Sequence, residues 1–297
     1  MSRSLLVLAL VIAALVLAPL QARATETLSV FVSVVPQETI VARIGGDRVR
    51  VQALVQPGQS PHAYEPTARQ IAALAEADLY VRIGVGFEDA WMTRLQGANP
   101  GMRILDSREG IALRPDDPGH HHDHADHDHH HHDPDGMDPH IWTSPTRVKQ
   151  MGLVIRDALT ALDPEHAATF ASNYDHFAAE LDALDARIRA RLAGVEPRRF
   201  MVYHPAWGYF ADDYGLEQVA IEREGKEPGA RALAALIEQA RREGIRVIFV
   251  QPQIDPSAAR RVAEAIDGEV AVIDPLAGDY FENLQRVADL IAGAARP

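Results

Sequence analysis

Apolar positions along the chain change period several times, and those changes outline its elements. Leu28 to Val35, LSVFVSVV, is a continuous β-branched run of the kind buried in a parallel strand. Pro36-Gln-Glu38 ends it, and a short helix through Ile44 closes at Gly45-Gly46-Asp47. A second strand spans Val49 to Val55, and the loop Gln56-Pro57-Gly58-Gln59-Ser60-Pro61 then delivers His62. Glu65-Pro66-Thr67 opens a helix with Ile71, Leu74 and Ala75 on one face, before strands at Leu79–Ile83 and around Met102–Leu105. This rhythm predicts an α/β lobe with a parallel sheet, and functional loops in such sheets lie beyond the carboxyl ends of the strands.

Beyond Ser144-Pro145, which starts a helix to about Leu162, the pattern becomes purely helical. Asp163 reads as an N-cap with Pro164 at the first helical position. Phe170, Tyr174, Phe177, Leu181, Leu184, Ile188 and Leu192 form one stripe on a helix of nearly thirty residues, roughly 45 Å long at 1.5 Å per residue. The α/β rhythm returns past Glu196-Pro197: strand Phe200–Tyr203, helices near Ala206–Tyr214 and Gly229–Arg242, strand Val247–Val250, helix Pro256–Ile266, strand Val270–Ile273 and a last helix from Tyr280. The fold class expected is α/β, two lobes with parallel-type sheets joined by one long rigid helix. The expected divisions are residues 25–162, 163–194 and 195–297.

Two stretches stand outside this pattern. Met1-Ser-Arg3, the apolar run Leu5–Leu17 and Ala22-Arg23-Ala24 have the form of a cleavable signal peptide, with cleavage expected after Ala24. The run is too short for a membrane-spanning helix, which needs ~20 residues. The second is a tract between about residues 115 and 137 without hydrophobic period, an expected mobile insertion. Its centre carries His120, His121, His122, His124, His127, His129, His130, His131 and His132, nine of the fourteen histidines, interspersed with Asp123, Asp126 and Asp128. Imidazole with carboxylate suits zinc, copper and nickel. A spacer or a purification tag is the competing reading, but a tag sits at a terminus and lacks interspersed aspartates.

Charge and composition narrow the function. The chain has 297 residues, a formal charge of −13 and no cysteine, so thiolate metal sites, disulfides, cysteine nucleophiles and a lipid-attachment cysteine are excluded. Eight aspartates from Asp116 to Asp138 have no Lys or Arg among them. Such a surface attracts cations and repels nucleic acid and anionic lipid. A soluble, exported, periplasmic protein is expected.

Three histidines outside both the tract and the long helix share one kind of position: His62 after a strand, His140 soon after the insertion, and His204 directly after FMVY. Asp274 follows the strand VAVI in the same way. Loops at the carboxyl ends of facing lobes converge on the interlobe cleft, where three imidazoles and a carboxylate suit a tetrahedral zinc site. His166 and His176, within the long-helix region, read as structural, and Tyr64, Trp142, Trp207, Tyr209 and Phe210 read as core aromatics that also wall the ligands.

The segments Pro61-His-Ala-Tyr-Glu-Pro66, Asp138-Pro-His-Ile-Trp142, His204-Pro-Ala-Trp-Gly-Tyr-Phe210 with Tyr214-Gly-Leu216, and Asp274-Pro-Leu276 resemble the periplasmic solute-binding proteins of zinc and manganese ABC importers, of the zinc-uptake type. The resemblance covers essentially the whole mature chain. It implies ligation by His62, His140 and His204 with Asp274 fourth, Asp279 or water being the alternatives, and the histidine tract as an accessory zinc collector or sensor. It implies Zn2+ as the metal and, as partners, an inner-membrane permease with its ATPase, with the binding protein a monomer that contacts the permease directly. Two departures matter: Pro61 stands where some members have a glutamate, and the disulfide some members carry in the second lobe cannot form. A zinc hydrolase is the alternative from another class, although no His-Glu-x-x-His motif is present. A periplasmic metal buffer or adhesin using the tract alone is the third.

Overall fold

The computed structural model describes residues 27–116, 136–222 and 226–295. The expected signal segment and the histidine tract from His120 to His132 lie outside the described residues. Two four-stranded, all-parallel sheets are present. The first contains β1 (Leu28–Val32), β2 (Val49–Ala53), β3 (Leu79–Arg82) and β4 (Arg103–Asp106), in the order β2-β1-β3-β4. The second contains β5 (Arg199–Val202), β6 (Glu217–Ala220), β7 (Val247–Val250) and β8 (Glu269–Val272), in the order β6-β5-β7-β8. Each lobe thus reverses direction of strand addition at its first strand, and the crevice outside the carboxyl ends is where such sheets bind ligands.

Helices α1 (Val35–Gly45), α2 (Ala68–Leu74) and α3 (Gly86–Ala98) belong to the first sheet, and α6 (Gly208–Tyr214), α7 (Ala230–Glu243) and α8 (Ser257–Ala265) to the second. Between the sheets run α4 (Pro145–Leu162) and α5 (Ala167–Leu192), and α9 (Tyr280–Ala294) returns against α5. Ser144 starts α4 by accepting the Arg147 amide at 3.1 Å, with Pro145 in the first turn. The long helix has 26 residues, about 39 Å at 1.5 Å per residue. Its stripe packs as the period predicts: Phe170, Phe177, Leu181, Leu184, Ile188 and Leu192 are buried, and Tyr174 is half-buried.

Three local expectations need correction. Asp163 does not cap the long helix; a 3-10 turn, Pro164–His166, precedes it, and the Asp163 carboxylate pairs with Arg48 at 3.2 Å and His166 Nδ1 at 2.8 Å. Helix α3 went unread because its sequence carries two glycines and buries only Phe87, Glu88 and Leu95. Strand β6 went unread because Glu-Gln-Val-Ala offers no apolar run and is at most half-buried.

One hydrophobic core runs through both lobes. It includes Val30, Val32 and Tyr80 of the first sheet, the stripe of α5, and Phe200, Phe249, Tyr209 and Ile291 of the second lobe. A smaller cluster around Met201, Ile248 and Val262 lies wholly within the second lobe. Phe177 is fully buried at the centre of the shared core, its ring 6.0 Å from Phe281 of α9 in an edge-to-face arrangement. Phe177→Ala should therefore cost about 3–5 kcal/mol of unfolding free energy, measured by urea denaturation of the metal-free protein. A loss under about 1 kcal/mol would show that the helix is not a structural spine.

Candidate metal centre

The expected ligands come from three elements at the carboxyl ends of the two sheets. His62 lies in a 3-10 turn, Pro61–Ala63, between β2 and α2. That loop is braced by Gln70, whose Nε2 donates to Leu54 O at 2.8 Å while its Oε1 accepts from Tyr64 OH at 2.8 Å and Thr67 N at 3.0 Å. Thr67 Oγ1 accepts the Gln70 amide in return, a capping box that fixes the start of α2. His140 immediately precedes the 3-10 turn Ile141–Thr143, and His204 lies two residues beyond β5.

These three side chains converge. Nε2 of His204 lies 3.1 Å from Nε2 of His62 and 3.4 Å from Nε2 of His140. Among the described residues, a group of at least three metal-competent side chains with ligand atoms within 4.8 Å of one another is formed by His62, His140 and His204. Two nitrogens each about 2.05 Å from a tetrahedral zinc would sit roughly 3.3 Å apart. The spacings are those of a ligand set. His140 and His204 are buried, and His62 keeps an exposed flank.

Two buried carboxylates orient the buried rings. His140 Nδ1 lies 2.7 Å from Asp138 Oδ1, which also accepts the His140 amide at 2.9 Å. His204 Nδ1 lies 3.2 Å from Glu222 Oε1. An ionised carboxylate only accepts, so each Nδ1 carries the hydrogen and each Nε2 keeps its lone pair for a metal. His62 has its pKa lowered to about 3, first by desolvation and then by the neighbouring His204 and His140. A neutral His62 keeps a lone pair for a metal, whereas a protonated one would repel the cation.

Asp274, two residues beyond β8, is not in the group of atoms within 4.8 Å. Its Oδ1 accepts from Gln253 Nε2 at 3.0 Å and from the Leu276 amide at 2.9 Å. Asp279 is exposed and bonded to Arg286 at 2.8 Å. His166 pairs with Asp163, and His176 Nδ1 lies 2.8 Å from Ser172 O, so neither belongs to the cluster. The aromatic side chains divide. Trp142 stands 5.1 Å from the His140 ring and donates to Pro275 O at 2.7 Å, and Tyr209 donates to Asp138 O at 2.8 Å. Trp207 and Phe210 pack edge-to-face on each other.

Residues 30–294 match the family described as zinc-uptake complex component A, periplasmic (ZnuA). The chain belongs to this family. Among solved ZnuA-family structures, the crystal structure of ZnuA is 38% identical with a TM-score of 0.83, covering 91% of this chain and 100% of that one. A ZnuA deletion mutant with zinc bound is 39% identical with a TM-score of 0.83, covering 92% of this chain and 99% of that one. The zinc-binding lipoprotein AdcA of Streptococcus pneumoniae is 30% identical over 86% of this chain. This chain spans about half of that relative, 51%. The zinc-uptake resemblance and the two-lobed α/β fold with its long helix therefore both hold.

The orienting residues were the part sequence reasoning missed. Asp138 carries a usable signal in its place two residues before His140. Glu222 follows β6 by two residues, so the signal vanished with the unread strand.

The depressed pKa of His62 sets a pH dependence. From pH about 6.5 down to about 3 the unfolded chain takes up a proton that folded His62 refuses, so the metal-free fold loses stability as pH falls through that window. Above it, His62 contributes no slope. Calorimetry of metal-free His62→Gln should show a smaller fall in Tm between about pH 6.5 and about pH 4 than the parent protein shows; an equal fall would contradict the neutral-imidazole arrangement.

Proposed function

We propose that the protein captures Zn2+ as cargo in the interlobe cleft, through His62, His140 and His204, and delivers it to the permease of an ABC importer driven by its ATPase. The observation that carries this reading is the 3.1 and 3.4 Å spacing of three Nε2 atoms, two of them on rings anchored by carboxylates. Three nitrogen donors favour zinc over manganese, which prefers more oxygen. Membership of the zinc-uptake family and likeness to a zinc-bound ZnuA structure support the same cargo.

Asp274 is our choice for the fourth ligand. Gln253 and the Leu276 amide hold Oδ1, which orients the carboxylate and leaves Oδ2 for the ion. Asp279 is the poorer candidate because Arg286 already engages it. A hydrolase would need a general base beside an open coordination position, and both Asp138 and Glu222 are engaged with imidazole Nδ1 instead. We read the protein as non-catalytic.

The remaining assignments follow from the sequence. Export by cleavage after Ala24, a periplasmic monomer that contacts the permease directly, and the division at 25–162, 163–194 and 195–297 complete the reading. No helix among the described residues is long and apolar enough to cross a membrane. The nine histidines between His120 and His132 act as an accessory collector or sensor that holds several ions weakly.

Zinc titration of purified protein tests the assignments together. His62→Ala with His204→Ala should abolish one tight site, and Asp274→Asn should weaken it by at least about tenfold. Deletion of residues 120 to 132 should lower the number of weakly held ions and spare the tight one. Loss of all zinc binding on that deletion would refute the cleft site, and an unchanged affinity in Asp274→Asn would assign the fourth position to water.

A further inference from the structure

The stem of the histidine-bearing segment is built into the metal centre. Asp138 N donates to Arg114 O at 3.0 Å, Asp116 N to Gly136 O at 3.0 Å, and Pro115 and Met137 form an antiparallel bridge. Arg114 and Asp138 are therefore cross-strand neighbours. The Arg114 guanidinium lies 3.7 Å from Asp138 Oδ2, the oxygen that does not hold His140. On its other side it lies 3.6 Å from Asp212 of α6 and 5.9 Å from the Tyr209 ring centroid. Tyr209 OH accepts from the Arg114 amide at 3.0 Å and donates to Asp138 O at 2.8 Å.

Gly208, the first residue of α6, provides the space. A methyl group there would overlap Nη1 and Cζ of Arg114 and fall 3.1 Å from Asp138 Oδ2. No positive φ demands glycine at this position. The absent side chain leaves room for the guanidinium, seated between Asp138 and the helix that follows His204.

We propose that Arg114 is a positioning residue for the metal centre, seated on Gly208 and acting through Asp138 on His140. Asp138 is buried, and a buried carboxylate is costly unless a charge or donors balance it. Arg114 supplies the cation to one oxygen while the other oxygen orients the imidazole. Its reach to Asp212 and Tyr209 ties the His140 segment to the helix behind His204, so one side chain registers ligands from both lobes. The inference rests on the reading of the three histidines as zinc ligands.

The experiment measures zinc affinity and dissociation rate, with the visible spectrum of the Co2+-loaded protein reporting ligand geometry. Arg114→Ala should weaken zinc binding by roughly 10- to 100-fold, mainly through faster release, and alter the Co2+ bands. Arg114→Lys should recover part of the loss because it restores the charge without the fork. Gly208→Ala, which keeps the arginine but removes its seat, should reproduce the defect while the apo protein melts near the parent temperature. In an Asp138→Asn background, Arg114→Ala should have little further effect. An unchanged affinity and Co2+ spectrum in Arg114→Ala, or losses that simply add in the double variant, would overturn the proposal while leaving the zinc site intact. A parent protein without a tight site would overturn both.

Discussion

Three imidazoles, with His204 Nε2 lying 3.1 Å from that of His62 and 3.4 Å from that of His140, do not gather without being held there. At most one hydrogen can sit between any two of them, and each lone pair that finds no donor remains unpaired. The surrounding structure supplies the restraint. Asp138 and Glu222 hold the Nδ1 side of two rings, Gln70 braces the loop of the third, and the shared core anchors the segments that carry all three. On the proposed ligation, a metal ion turns this arrangement from costly to favourable.

The same core limits how the cargo leaves. In a two-lobed binding protein with separate cores, the lobes can swing apart on a hinge and expose little apolar surface. Here the buried face of α5 and its neighbours belongs to both lobes at once, and polar ties cross between them: Trp142 to Pro275, Tyr209 to Asp138, Arg147 to Asp213 and Thr39 to Gly278. Wide opening would break those ties and hydrate the core. On the proposed ligation, small shifts of the loops bearing His62 or Asp274 are the cheaper route, because they leave the shared core buried. His62, with its exposed flank, stands on the solvent side of the site.

Much of this was legible in the chain. The period of α5, the apolar strands and the placement of His62 and His204 beyond strands follow from residue type and spacing, because burial imposes period 2 or 3.6 on any segment whose core face is apolar. Elements whose stability comes from neighbours instead left little mark: β6 gains its backbone bonds from β5, and α3 carries Glu88, whose buried carboxylate is satisfied by Ile83 N and Gly84 N at 2.8 Å. Asp163 illustrates the opposite error, a residue with good capping chemistry that a tertiary partner, Arg48, and a local one, His166, claimed first.

By itself, then, the sequence determined the class of fold and supplied donors whose chemistry suits zinc, since donor chemistry is a property of the side chain alone. Only the tertiary structure decided which donors meet, at what spacing, and what stands behind them. His62 and His204 are 142 residues apart, and Arg114, Asp138, Gly208 and Glu222 come from segments with no local relation. Their meeting depends on the packing of two sheets against one helix, and that packing is a sum over the whole core which no short stretch of sequence records.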